Sequence, residues 1–72
     1  MYALVLWLRG VTAMYKTIRF YDGKGITRYQ SAFIQPYENA YTKLLNLAKH
    51  FYGNISGARL LTQKEQAEYM EG

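Results

Sequence analysis

The sequence predicts a small α+β domain, in which an antiparallel β-sheet of about three strands is covered by one amphipathic helix and followed by a short C-terminal helix. Segments rich in β-branched and aromatic residues fill the first half of the chain, and a glycine-rich turn separates two of them. Residues 36–52 have the apolar period of an amphipathic helix. The chain has 72 residues, half of them hydrophobic, so it has room for one core and residues 1–72 form a single domain.

Three segments are predicted to be strands. Tyr2–Arg9 is rich in Val, Leu and Trp, and Ala13–Asp22 continues with β-branched and aromatic residues. Asp22–Gly25 reads Asp-Gly-Lys-Gly, which predicts a hairpin turn because glycine adopts the positive φ angles that tight turns require. Ile26–Ile34 is then the returning strand of this hairpin.

The predicted helix over Pro36–Tyr52 forms the second layer. Proline has no N–H for a β-ladder but suits the first turn of a helix, so Pro36 separates the two elements. At about 100° per residue the apolar side chains fall in one sector and the polar ones in the other. The apolar sector contains Tyr37, Ala40, Tyr41, Leu44, Leu45, Leu47, Ala48, Phe51 and Tyr52. We expect this whole face to lie on the sheet and Gly53 to end the helix.

The residues after Gly53 carry weaker signals. Asn54–Gly57 is typical of a loop, and Ala58–Leu61 fits either a short strand or a continuation into helix. Thr62 and Glu65 match a capping box, in which each side chain accepts a hydrogen bond from the other residue's backbone N–H. A short final helix over Gln63–Glu71 follows from this signal.

The charge of the chain is positive in total and uneven in its distribution. The formal net charge is +4, yet the last thirteen residues carry three glutamates against Lys64 alone. A basic body therefore precedes an acidic tail. A basic body favours an anionic partner, which is either a nucleic acid or an acidic protein surface.

Several function classes find no support in the sequence. The chain has no cysteine and one histidine, so neither disulfides nor a zinc site is expected. His50 lies on the polar face of the predicted helix, and the only aspartate, Asp22, lies in a turn, so no catalytic triad is indicated. Asp22–Gly25 lacks the Gly-Lys-Ser/Thr ending of a phosphate-binding loop. We expect a protein that is not an enzyme and that needs no cofactor or metal.

The apolar segments are short. Tyr2–Leu8 is apolar for only seven residues and ends at Arg9, which predicts a strand in place of a signal peptide. No segment approaches the roughly 20 apolar residues of a membrane span. We therefore expect a cytoplasmic protein, a monomer or a homodimer, with no membrane partner.

A nucleic-acid surface is the main functional hypothesis. If Ala13–Asp22 is a strand, one face presents Tyr15, Thr17, Arg19 and Tyr21, which we expect to face solvent. On the returning strand, Arg28 and Gln30 lie on one face, and the opposite face carries Thr27, Tyr29, Ser31 and Phe33. Cations interleaved with aromatic rings are typical of a surface that tracks phosphates and stacks bases. The predicted binding residues are Tyr15, Lys16, Arg19, Tyr21, Lys24, Arg28 and Tyr29.

Three other interpretations stand beside it. The same surface fits a protein-binding inhibitor or adaptor of the anti-defence type that phages and mobile elements use, such as an anti-CRISPR protein, with Tyr2, Trp7 and Arg9 as anchors. A helix-turn-helix would place a first helix over Leu47–Phe51 and a recognition helix from Ser56, although Gly57 weakens it. The eight tyrosines also suit a plain core whose hydroxyls reach solvent.

Overall fold

The computed structural model describes residues 14–71 and confirms the predicted class, a small α+β domain. Its elements follow the chain in the order β1, β2, α1, β3 and α2. Their bounds are Met14–Tyr21 (β1), Thr27–Ile34 (β2), Ala40–Tyr52 (α1), Ser56–Leu60 (β3) and Gln63–Glu71 (α2). The three strands form one antiparallel sheet in the order β2-β1-β3. The strand predicted over Tyr2–Arg9 lies outside the described residues.

The hairpin between β1 and β2 forms as predicted. The Asp22 carboxylate accepts hydrogen bonds from the backbone N–H groups of Lys24 at 2.8 Å and Ile26 at 3.0 Å. Gly25 has a φ of 78°, a left-handed conformation that side chains disfavour. The turn fixes a register that runs without interruption from Tyr21 opposite Thr27 to Met14 opposite Ile34.

The third strand comes from the region after Gly53, where the sequence signals were weak and allowed either strand or helix for Ala58–Leu61. Ser56–Leu60 pairs with β1, so the loop predicted over Asn54–Gly57 is wrong for its last two residues. The helix-turn-helix hypothesis is also wrong, because the segment from Ser56 is a strand and not a recognition helix. Ala58 and Leu60 pack against the core, and this tertiary contact selects the extended form over a helix.

Helix α1 begins later than predicted. Asn39 is its N-cap, and the Asn39 side chain accepts a hydrogen bond from the Thr42 N–H at 2.9 Å. The predicted start at Pro36 is therefore wrong by several residues, since the Glu38 N–H donates to the Gln35 carbonyl in a turn that precedes the helix. The end at Tyr52 is confirmed, with Gly53 at a φ of 75°.

The core lies between α1 and one face of the sheet. Ile18, Phe20, Ile34, Leu44 and Ala48 are its buried members. Three come from the sheet and two from successive turns of the helix, as the strand period of two and the helix period of 3.6 require. None of the helices within residues 14–71 has the length and apolar content to cross a bilayer.

The apolar face of α1 is wider than the surface that covers it. Leu44 and Ala48 are fully buried, but Phe51 remains 65% exposed and Tyr37, before the helix, 86% exposed. The expectation that the whole apolar face lies on the sheet is therefore wrong at its margins. Within residues 14–71, three strands, one of them only five residues long, do not cover so wide a sector.

Candidate nucleic-acid interface

The sheet has a second face, on the side away from α1. Directly opposed residues of neighbouring strands share a face, and the register opposes Tyr15 to Phe33 and Arg19 to both Tyr29 and Arg59. We call this side the tyrosine face. It consists of Tyr15, Thr17, Arg19, Tyr21, Thr27, Tyr29, Ser31, Phe33 and Arg59.

The structure divides the seven predicted binding residues among three places. The tyrosine face carries four of them, Tyr15, Arg19, Tyr21 and Tyr29. Lys16 and Arg28 lie on the helix side of the sheet, opposite Ala32 and Phe20 respectively. Lys24 lies exposed in the hairpin turn. One sheet face therefore does not present all seven.

Arg28 is engaged in the hairpin. Its Nε donates to Asp22 Oδ2 at 3.0 Å, and its guanidinium carbon lies 5.7 Å from the centre of the Tyr52 ring. The backbone N–H of Ile26, followed by the Arg28 side chain, lowers the pKa of the Asp22 carboxyl below its usual value. These contacts tie the turn to the end of α1, so Arg28 has a structural role that the sequence pattern did not indicate.

Thr17 departs from the expectation that its face is open to solvent. The side chain is fully buried, and its hydroxyl lies 2.7 Å from the Ser31 hydroxyl. The Thr17 carbonyl accepts from the Leu61 N–H, in the segment that leads from β3 into α2. The tyrosine face is thus closed at its centre and exposes rings around it.

Aromatic rings line the tyrosine face. The rings of Tyr15 and Phe33 meet edge to face with centroids 5.1 Å apart, and Phe33 is 56% exposed. Tyr29 and Tyr21 are also exposed, and the Tyr21 ring lies directly over Gly57. Phe33 was absent from the predicted binding residues. Its position opposite Tyr15 in the predicted hairpin nevertheless places it on the same face as the predicted tyrosines.

Helix α2 crosses this face at the row of Arg19, since it contacts Arg59 and Tyr29, the residues that flank Arg19 on the two neighbouring strands. The capping box is confirmed, since Thr62 Oγ1 accepts from the Glu65 N–H at 3.1 Å and Glu65 Oε1 accepts from the Thr62 N–H at 2.9 Å. Both Glu65 oxygens also accept from the Arg59 guanidinium, at 2.8 and 2.9 Å. Farther along the helix, the rings of Tyr69 and Tyr29 lie 5.1 Å apart. The acidic tail is therefore attached to the basic sheet.

A groove of about 310 Å³ separates α2 from the sheet. It is lined by Arg19, Tyr29, Leu61, Glu65, Glu68 and Tyr69. Within residues 14–71, Arg59 and Glu65 pair with each other, whereas Arg19 and Glu68 form no ion pair although both line this groove. The groove thus presents one guanidinium and one carboxylate that are not engaged with each other. Sequence reasoning missed Glu68 and Tyr69, because only the folded chain brings α2 beside Arg19.

The contact between Arg59 and Glu65 predicts a specific acid response. The Arg59 guanidinium, followed by the Thr62 N–H, lowers the pKa of Glu65 from 4.5 to about 2. A carboxyl with a depressed folded-state pKa stabilises the fold above its unfolded value and loses that contribution as the pH falls through the folded value. The attachment of α2 should therefore weaken between about pH 4.5 and about pH 2. NMR titration of the side-chain carboxyl carbons should give a midpoint for Glu65 near the lower value.

The control for this prediction removes the same charge elsewhere on α2. The substitution Glu65→Gln keeps a capping side chain but abolishes the ion pair, so it should flatten the acid response. Glu71→Gln should retain it. A Glu65 midpoint near 4.5 in the unmodified protein would show that the ion pair does not form in solution.

Residues 14–71 contain no group of three or more His, Asp or Glu side chains that could hold a metal ion. Comparisons with models of known protein families, with curated proteins and with solved structures gave no match.

Proposed function

We propose that this protein is a non-enzymatic cytoplasmic binding protein whose tyrosine face engages single-stranded nucleic acid, alone or within a nucleoprotein. The observation that carries the proposal is the environment of Arg19. The exposed rings of Tyr21 and Tyr29 lie beside it on one sheet face. Two glutamates of α2 line the same groove, but no carboxylate within residues 14–71 forms an ion pair with Arg19. A cation among exposed rings suits an unpaired strand, whose bases stack while its phosphates are neutralised.

The dimensions of the face suit a short stretch of strand. Tyr15 and Tyr21 lie six residues apart on β1, which corresponds to about 20 Å along an extended strand. Tyr29 lies beside Arg19 on β2, so rings are present both along the strand and across it. Each base stacked on an aromatic side chain contributes about 1–3 kcal/mol, with little dependence on sequence.

Two cations supply the phosphate contacts in this proposal. Arg19 lies on the face itself, and Lys24 lies at the hairpin turn that extends β1 and β2. Lys16 and Arg28 lie on the other side of the sheet, and Arg28 is already paired with Asp22. We therefore assign the phosphate contacts to Arg19 and Lys24.

The test is a fluorescence-anisotropy titration of labelled single- and double-stranded DNA and RNA of about ten nucleotides. Two phosphate contacts on a single strand give a slope of log K against log salt of about −1.4. Affinity should thus fall about sevenfold between about 50 and 200 mM salt, and single strands should bind more tightly than duplexes. Absence of binding to every probe at the lower salt concentration would overturn the proposal.

Matched variants locate the surface. Arg19→Glu should weaken binding about tenfold, since it replaces an attractive charge by a repulsive one, whereas Lys49→Glu makes the same charge change at an exposed site on α1 and should have little effect. Phe33→Ala should weaken binding about tenfold through lost stacking, and Phe51→Ala, at a similarly exposed ring on α1, should not. Equal effects within either pair would place the binding surface elsewhere.

A protein-binding inhibitor or adaptor is the second candidate. The observation that favours it is the exposure of large rings on the helix side, where Phe51 is 65% exposed and Tyr37 is 86% exposed. Exposed aromatic side chains are frequent anchors at protein interfaces. A protein bound through these rings would lose affinity with Phe51→Ala and Tyr37→Ala and would retain it with Phe33→Ala, the reverse of the pattern expected for nucleic acid.

A further inference from the structure

We infer that the groove between α2 and the sheet selects guanine among the bases of a bound single strand. This inference rests on the proposed function and deepens it. The groove has two walls of different chemistry, with Arg19 and Tyr29 from the sheet and Glu68 and Tyr69 from the helix. Its volume of about 310 Å³ is at the lower end of small-ligand sites, which run from about 300 to 1,000 Å³. One planar base is an occupant of suitable size.

The carboxylates decide which part of a nucleotide enters. An ionised carboxylate only accepts hydrogen bonds and repels a phosphate, so the helix wall of the groove favours a base edge over the backbone of a bound strand. Base edges carry N–H groups, and a carboxylate accepts hydrogen bonds from them. Glu65 already binds the Arg59 guanidinium through both oxygens, which leaves Glu68 as the available acceptor in the groove.

Guanine satisfies both polar groups of the groove at once. Its Watson–Crick edge presents two adjacent donors, N1–H and the N2 amino group, which match the two oxygens of one carboxylate. Its O6 and N7 atoms are adjacent acceptors that an arginine fork binds in a bidentate manner. Adenine and cytosine each offer only an amino group as donor, and thymine and uracil offer a single N3–H. Arg19 has five N–H donors, so contact with the base leaves others for phosphate.

The rings of Tyr29 and Tyr69 complete the site. Their centroids are 5.1 Å apart with an angle of 30° between the planes, so no base fits between them. A base in the groove can therefore stack only on a face of this pair that is turned away from the contact between the two rings. From there it would reach Glu68 on the helix wall with one edge and Arg19 on the sheet wall with another. Base specificity therefore depends on α2, because the strands within residues 14–71 have no carboxylate to bind the guanine donors.

The experiment compares single-base substitutions at the centre of an oligothymidine of about eleven nucleotides, in which one guanine cannot form a structured guanine run. Central guanine should raise affinity about tenfold over all-thymine, and central adenine or cytosine should not. Hypoxanthine, which lacks the N2 amino group, and 7-deazaguanine, which lacks N7, should each lose most of that gain. These two analogues test the carboxylate and guanidinium contacts separately.

Variants assign the preference to α2. Glu68→Gln should reduce the ratio of guanine to hypoxanthine affinity to near one, because the amide replaces one carboxylate oxygen by an NH2 donor, which opposes one of the two guanine donors. Glu71→Gln removes the same charge outside the groove and should preserve the ratio. Using a ratio cancels the general gain in affinity that loss of any negative charge produces.

Each result has a distinct meaning. Binding of oligothymidine without a guanine preference would overturn the guanine site and leave the proposed function intact. Guanine preference that survives Glu68→Gln would overturn the assigned contact. Failure of every oligonucleotide to bind would overturn the proposed function and this inference with it.

Discussion

Replacing Phe20 by alanine is expected to lower the free energy of unfolding by about 3–5 kcal/mol. Phe20 is fully buried, and its ring meets the Tyr52 ring edge to face with centroids 5.2 Å apart. The substitution removes this contact and leaves a cavity between the sheet and α1, where the rest of the core cannot close it. Urea denaturation followed by circular dichroism would measure the change.

Phe33→Ala is the matched control for this prediction. It makes the same substitution in the same sheet, but on the tyrosine face at a residue that is 56% exposed. The loss should be below about 1 kcal/mol, because little apolar area returns to water. Equal losses at the two positions would contradict the assignment of the core to the helix side.

Since a domain of this size is stable by only about 4–11 kcal/mol, Phe20→Ala can leave the chain unfolded. Phe20→Leu, which retains most of the buried volume, should cost about 1 kcal/mol and keep the transition measurable. A Phe20→Leu variant as stable as the original would indicate that the ring packs poorly.

Gly57→Ala is expected to destabilise the protein by about 2–3 kcal/mol, from two sources that add. Gly57 has a φ of 62°, which costs a non-glycine residue about 1 kcal/mol or more. A Cβ at this position would also lie 2.9 Å from the Tyr21 ring, so the ring must move. The displaced ring belongs to the tyrosine face, and nucleic-acid affinity should fall along with stability.

Gly25→Ala separates these two sources. Gly25 has a comparable φ of 78°, but a Cβ there meets no atom within 4 Å. The substitution should therefore cost about 1 kcal/mol through backbone strain alone and should leave the Tyr21 ring in place. If both variants lose the same stability, the contact between Gly57 and Tyr21 contributes nothing.

Local signals in the sequence were sufficient for most elements. The hairpin at Asp22–Gly25 and the capping box at Thr62 and Glu65 depend on side chains that bond to backbone a few residues away. The buried positions Ile18 and Phe20 follow from the strand period of two, and Leu44 and Ala48 from the helix period of 3.6. Such interactions are encoded within one segment, so a linear pattern displays them.

Local residue patterns were enough to predict the fold class, the hairpin, the end of α1 and the alternation that puts Tyr15, Arg19 and Tyr21 on one side. Contacts between elements set the remaining features. Whether Ser56–Leu60 became strand or helix depended on packing of Ala58 and Leu60 against a distant core. The placement of acidic α2 beside Arg19, and hence the groove, depended on the Arg59–Glu65 contact and the Tyr29–Tyr69 contact. Contacts between different elements leave no periodic signal in either element, whether their residues are six apart, as Arg59 and Glu65 are, or far apart, as Tyr29 and Tyr69 are.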